Sequence, residues 1–568
     1  MEELPRNLWK RLSRLFPADG EATDLAAEWF REYESDGALS RPAAEVMAAP
    51  LPVVADFFRR VSLMYSPETP ILRRRDTRWM SEFDYTLFNI RGAGVKGKAG
   101  NYLSAAMMLA TLRTKALVLA PVTRGRHDDL FHLESHALLR EELTCPQARA
   151  AGLGDEAQMA AFCEAAHLLG FALGFDMDYR VDPLAAVVVN RPDLFLWTKD
   201  GFCPSTEKEQ EELRQEVLHH VKSVRASGVV PSPEVYDAAL KVPGLAASPT
   251  TDGTERTPLS FYSSVDGEER EGAVKYWGKV FDLWRDRYGF DFLVLRGTSP
   301  ETGPEAPQLA LIRKAADRAR KAGVRRNIGV AAEGNAFDVE DYGVQGADLV
   351  IAGDGEERAD YEWFRSTVHL DEKLRRINLG RKLRFSVPIV VNPGNVESKP
   401  RRERALMKRF VARFLGTGPS RRPLMETMGA LEGAWGYNES LRKPISLGWM
   451  PDEEDAKRAQ VLEAVAQECH DILDTGERVD KHLDDRCAWW VIRSKRGLLV
   501  AIVSVENEDL LPPPGIKIDY SSYAPDGESK TVLEHDFREN RGVLCLSTDT
   551  VIDVDDVPYR GFRLYVVN

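Results

Sequence analysis

The chain has 568 residues, 43% of them hydrophobic and 29% charged, with a formal net charge of −13. That is a globular composition, and no apolar run reaches the ~18–20 residues of a membrane-spanning helix. So acidic a chain repels phosphate backbones, so neither nucleic acid nor membrane is expected as a partner.

Residues 1–80 read as a helical N-terminal extension. Leu8, Leu12 and Leu15-Phe16 share one helical face, and ATDLAAEWFREY and VVADFFRRVSLMY continue the period. The opening MEELPRNLWKRLSRLF lacks the apolar core of a secretory signal. Cys145, Cys163, Cys203, Cys469, Cys487 and Cys545 are scattered, with no CxxC pair. The expectation is free thiols in a reducing cytoplasm, without structural zinc, other metal or cofactor. Arg73-Arg74-Arg75 and Arg401-Arg402 read as solvated faces.

From Tyr85 the pattern changes to short, continuously apolar runs: Tyr85–Ile90, Ala116–Val122, Phe171–Asp178, Phe290–Gly297, Asn327–Gly334, Asp348–Gly355, Phe385–Asn392 and Val411–Gly418. Helical stretches such as DEAQMAAFCEAAHLLG and QLALIRKAADRARKAG separate them. Continuous runs suit parallel strands covered on both faces, and eight strand–helix units predict an α/β fold, a (β/α)8 TIM barrel over residues 81–479. A doubly wound sheet is the alternative, disfavoured because no glycine-rich phosphate loop follows the first strand. The long gap after the third strand, about 183–272, predicts an inserted subdomain. Residues 480–568 change to β patterning: CAWWVIRSKRGLLVAIVSVEN reads as two strands joined by a Ser-Lys-Arg-Gly turn, opening a C-terminal antiparallel β-sandwich.

This order, with GFALGFDMDYRVD, RPDLFLW, WRDRYGFDFLVLRG, GVAAEGNAF and VPIVVNPGN in succession, resembles the α-amylase superfamily, glycoside hydrolase family 13, over roughly residues 80–565. The resemblance implies a retaining glycosidase site. Two carboxyl groups ~5–5.5 Å apart would act as nucleophile and acid/base, beside a third that stabilises the distorted sugar.

Aligned position by position, the nucleophile falls on Arg296 and its orienting arginine on Val294. Glu333 stands where the general acid belongs. The stabilising aspartate falls on Gly394 and its histidine on Pro393, beside Asn392. On the third strand Asp176 matches, whereas an Asn-His pair is replaced by Arg180 and Val181. A unit charge ~4 Å from the cationic transition state is worth about 4 kcal/mol at an effective dielectric of ~20. Exchanging anion for cation therefore swings roughly 8 kcal/mol, about 10⁶ in rate. Arginine also cannot form a glycosyl-enzyme intermediate, and neither Leu295 nor Gly297 would serve if the register slipped by one.

Strand ends share one mouth, so Arg91, Arg180 and Arg296 are expected there with Asp176, Asp178 and Glu333. The expectations are an Arg296–Glu333 pair plugging the pocket or arginines holding an anionic sugar. The candidate ligand-binding set is Arg91, Asp176, Arg180, Arg296 and Asn392, and the ligand an oligosaccharide, polysaccharide or anionic sugar. Trp489-Trp490 is core or sugar platform, His219-His220 a surface pair, and Asp128 and Asp129 loop charges or ligands. Calcium cannot be placed without its full oxygen set. The expected function is an inactive α-amylase-like protein with a binding, regulatory or scaffolding role toward a protein partner or a second copy. The alternative is a glycoside hydrolase or glucan transferase of atypical mechanism using Glu333 as general acid/base.

Overall fold

The computed structural model describes residues 77–567, apart from 93–99, 126–132, 195–205, 221–247, 257–270, 297–304, 322–327, 335–338, 353–358, 392–398, 429–452, 508–514 and shorter stretches. The N-terminal extension up to residue 76, most of the expected insertion, Asp128, Asp129, Arg180, Asn392, Pro393 and Gly394 lie outside the described residues.

Eight parallel strands carry the fold: β1 (Tyr85–Phe88), β2 (Ala116–Leu119), β3 (Ala172–Asp178), β4 (Phe292–Arg296), β5 (Gly329–Gly334), β6 (Leu349–Ala352), β7 (Ile389–Val391) and β8 (Leu424–Met428). They pair in the order β6-β5-β4-β3-β2-β1-β8-β7. The two edges meet through a parallel bridge between Leu349 and Ser386, where the Val350 N–H donates to the Ser386 carbonyl at 2.9 Å. The result is a closed (β/α)8 barrel. Helices α1 (Asp155–Leu168), α2 (Glu271–Tyr288), α3 (Glu305–Lys321), α4 (Val339–Val344), α5 (Tyr361–Arg381) and α6 (Lys399–Phe414) cover its outside, followed by α7 (Glu453–Glu468) and α8 (His470–Thr475).

Strand alternation sorts the side chains. Leu293, Leu295, Val330, Ala332 and Val350 pack outward against the helices. Tyr85, Leu87, Val118, Phe292, Val294, Ala331, Leu349 and Ile351 fill the lumen with Trp79, Met80 and Phe83 from the segment before β1. The Phe292 ring lies 5.7 Å from both Trp79 and Tyr85. Gly174 on β3 makes room for it, since a Cβ there would stand 2.1 Å from the ring.

The eighth strand requires a correction. Val411–Gly418, read above as a strand, begins inside α6, and the eighth strand is Leu424–Met428. Met407, Phe410, Val411 and Phe414 are all buried at the i, i+3, i+4, i+7 spacing of a helix face. The true strand is masked in sequence by Glu426, whose carboxylate is held by Arg409 at 2.6 Å.

The C-terminal part opens at Glu477 with strands β9 (Glu477–Leu483), β10 (Cys487–Ser494), β11 (Gly497–Ser504), β12 (Ile516–Asp519), β13 (Lys530–Asp536), β14 (Arg541–Ser547), β15 (Val551–Val554) and β16 (Phe562–Val567). Six form an antiparallel sheet in the order β9-β10-β11-β16-β13-β14, and β12 pairs with β15. The β10–β11 hairpin closes at Ser494 opposite Gly497. One sheet face packs on the small ladder through Val491, Val500, Ile518 and Ile552. The other packs on α6: the Trp490 indole donates to the Phe414 carbonyl at 2.5 Å, and Phe562 stacks on Phe410 at 4.6 Å. Trp490 is thus core, while Trp489 on the opposite face is half-buried. The Glu506 carboxylate takes Arg404 from α6 and Arg560 from the turn before β16, 2.7 and 2.6 Å away. Among the described residues no helix is long and apolar enough to cross a membrane.

Candidate functional site

The lumen changes character at the carboxyl ends of the strands. Below, it is filled by Val294, Ala331 and Ile351. One pleat higher, the same alternation aims Asp176 and Asp178 of β3, Arg296 of β4 and Glu333 of β5 inward. The register fixes their neighbours: Asp176 lies opposite Val294 and Asp178 opposite Arg296, and Leu295 lies opposite Ala332, one residue before Glu333. Leu295 faces the outer helices, so a one-residue shift would offer no nucleophile from that position.

Arg296 and Asp176 form a buried ion pair. The guanidinium donates from Nη2 to Oδ2 at 2.6 Å and from Nε to Oδ1 and Oδ2 at 3.1 and 3.2 Å. The side chains are 3% and 0% exposed. This corrects the expected Arg296–Glu333 pairing in its main partner: the carboxylate that receives the fork is Asp176, because β3 pairs directly with β4 and sets Asp176 one pleat below the arginine. Burial pushes the Asp176 carboxyl above its ordinary range. Arg296 opposes that shift, and the charges of Asp178 and Glu333 add to it.

Glu333 is half-buried at the mouth. Arg91 follows β1 in a short 3₁₀ turn, Ile90–Gly92, also half-buried, with its N–H bonded to Asn89 Oδ1 at 3.1 Å. The structure thus brings Arg91, Asp176, Arg296 and Glu333 to one end of the barrel. Arg180, Asn392 and Gly394 fall outside the described residues, and Val181 is buried.

Sequence reasoning missed His136, which is fully enclosed behind this layer. Its Nε2 lies 2.9 Å from the Asp178 carbonyl and its Nδ1 3.2 Å from the Tyr276 hydroxyl. The carbonyl requires Nε2–H as donor, while Nδ1 faces the Tyr276 hydroxyl. Its own carbonyl accepts the Trp284 indole N–H at 2.7 Å. The imidazole therefore braces the end of β3, and nothing in the local sequence but its place after the second strand marks it.

No family model matches the sequence, and no curated protein matches it. Solved structures do resemble it. An Anoxybacillus α-amylase aligns with a TM-score of 0.54 at 12% identity, covering 87% of this chain and 99% of that one. The Geobacillus thermoleovorans α-amylase complexed with acarbose aligns at 0.55 and 12% identity, over 87% and 99%. The Bacillus licheniformis trehalose-6-phosphate hydrolase aligns at 0.53 and 11% identity, over 86% and 99%. Likeness at such low identity concerns the backbone, since function resides in the site. With its closed parallel barrel and C-terminal antiparallel sheets, this chain has the fold of those α-amylase structures.

Proposed function

We propose that this protein is a catalytically inactive member of that fold, which binds an oligosaccharide at the barrel mouth without cleaving it and serves a regulatory or scaffolding role in carbohydrate metabolism. The observation that carries this reading is the Arg296–Asp176 pair. At the end of β4, where a retaining glycosidase keeps its nucleophile, stands a buried cation whose fork is engaged by the carboxylate of the neighbouring strand. The pair offers neither a nucleophile nor an anion to a developing oxocarbenium ion.

Glu333 is the remnant of the acid. Arg91 is proposed to contact the ligand at the rim, and Arg180 and Asn392 are proposed as further ligand contacts. Because Arg296 is engaged by Asp176, and Asp178 and Glu333 add negative charge, a neutral sugar suits the mouth better than an anionic one. The acarbose complex of the Geobacillus structure supports an oligosaccharide as ligand class. A cytoplasmic location is proposed from the scattered cysteines, of which Cys145, Cys163, Cys469 and Cys487 are buried.

The test is an assay at high protein concentration on maltoheptaose and an aryl α-glucoside, with Glu333→Gln alongside. We expect no sugar release beyond what Glu333→Gln retains. Release that disappears in the variant would overturn the reading and establish hydrolysis or transfer with Glu333 as acid/base.

A further inference from the structure

The β9–β10 hairpin carries a second cluster of chemistry-bearing side chains, far along the chain from the barrel mouth. In its antiparallel register His482 lies opposite Trp489 and Leu483 opposite Ala488, so Asp484 falls opposite Cys487 across the tip, Asp485-Arg486. Residues two apart on a strand share a face, as do residues directly opposite across the ladder. His482, Asp484, Cys487 and Trp489 therefore all project from one face. The side chains confirm this: His482 imidazole nitrogen, Asp484 carboxylate oxygen and Cys487 Sγ lie within 4.8 Å of one another.

We propose that His482, Asp484 and Cys487 form a binding site for a zinc-class divalent transition-metal ion.

The donor set is one imidazole, one carboxylate and one thiol, the three ligand types zinc takes, and a soft sulfur disfavours magnesium and calcium. A tetrahedral zinc holds such donors roughly 3.3–3.8 Å apart. The His482 Nε2 to Asp484 Oδ2 distance of 2.9 Å would open by only a few tenths of an ångström. Asp484 is held in place for the task. Its Oδ1 accepts the N–H groups of Arg486 and Cys487, both at 2.8 Å, leaving Oδ2 turned toward His482. The imidazole is oriented from behind by stacking on Trp489, centroids 5.6 Å apart and planes 17° from parallel. Cys487 is buried at the edge of the sheet core, whereas His482 and Asp484 are 44% and 47% exposed. The ion would thus have protein on one side and water as its remaining ligand. Burial pushes the Cys487 thiol up to about 12, and the neighbouring Asp484 adds to this. Binding transfers the sulfur lone pair to the metal and releases the thiol proton to solvent, with no change of oxidation state. The absence of any CxxC pair conceals the site in sequence, because the hairpin fold, not close spacing of cysteines, assembles it.

Titration of the reduced full-length protein with Co²⁺ tests the assignment. The expected result is a thiolate-to-cobalt charge-transfer band saturating at one equivalent and displaced by Zn²⁺. Cys487→Ser should abolish the band, and His482→Gln, on an exposed side chain, should weaken binding at least tenfold. Thermal unfolding without metal checks that each variant folds. Should Cys487→Ser prove unstable, Asp484→Asn, which keeps the Oδ1 acceptor of the turn, replaces it and should also weaken binding. No band in the wild type, or a band unchanged in His482→Gln and Cys487→Ser, overturns the proposal. The latter outcome would place the metal on another cysteine.

Discussion

Replacing Asp176 by asparagine leaves the Arg296 guanidinium buried against a neutral amide. Both side chains are almost wholly enclosed, so water cannot substitute for the lost carboxylate, and arginine cannot shed its proton. Removing one partner of such a pair costs about 3–5 kcal/mol. If the whole chain unfolds as one unit, its unfolding entropy is roughly 1.2 kcal/mol/K near 60 °C, so ~4 kcal/mol lowers Tm by about 3 °C, and by more if the barrel melts separately. Arg296→Met behaves differently because Asp176 can neutralise itself. Burial already raises its pKa, Arg296 being the main group that opposes the rise, and removing the arginine raises it further. The folded state then binds a proton that the unfolded chain, with an ordinary carboxylate pKa of ~3.9, has lost. Stability of Arg296→Met is therefore greatest at low pH and falls as pH rises through the raised value. The double variant Asp176→Leu/Arg296→Met, with no buried charge, should match or exceed the wild-type Tm. Differential scanning calorimetry between pH 5 and 8 reads all four proteins. An unchanged Tm in Asp176→Asn, or an Arg296→Met loss as large at pH 5 as at pH 8, would refute a desolvated ion pair at the end of β4.

Two further substitutions probe the frame that holds this site. Gly174→Ala drives a methyl into the Phe292 ring, 2.1 Å from its nearest carbon; the expected loss is about 1–3 kcal/mol, read as a lower Tm and partly recovered by Phe292→Leu in the same chain. At the barrel–sheet junction, burial would raise the Glu506 carboxyl, but hydrogen bonds from Arg404 and Arg560 outweigh it and hold the group below its ordinary range. Its contribution to stability is thus complete above the ordinary glutamate pKa and is lost as pH falls through the depressed one. Tm against pH should fall less steeply in Glu506→Gln than in wild type over that acid range, and parallel curves would exclude Glu506 as the junction's acid-sensitive contact.

Much was legible in the chain alone, and the reason is local. Seven of the eight barrel strands are continuous apolar runs because both their faces are buried, and such runs need no partner to be recognised. The β10–β11 hairpin shows itself through its turn, and the cation at position 296 follows from the residue's identity. The eighth strand was not legible. Its Glu426 is neutralised by Arg409 from α6, and the apolar run Val411–Gly418 begins on the buried face of that helix.

The choice of partner was likewise tertiary. An arginine ringed by Asp176, Asp178 and Glu333 has several carboxylates to meet, and only the β3–β4 register and the shape of the lumen decide that its fork seats on Asp176. His136 behind β3 and the His482–Asp484–Cys487 cluster belong to the same category. Their significance lies in which atoms converge, and convergence is set by pairing and packing between segments that no single stretch of sequence contains.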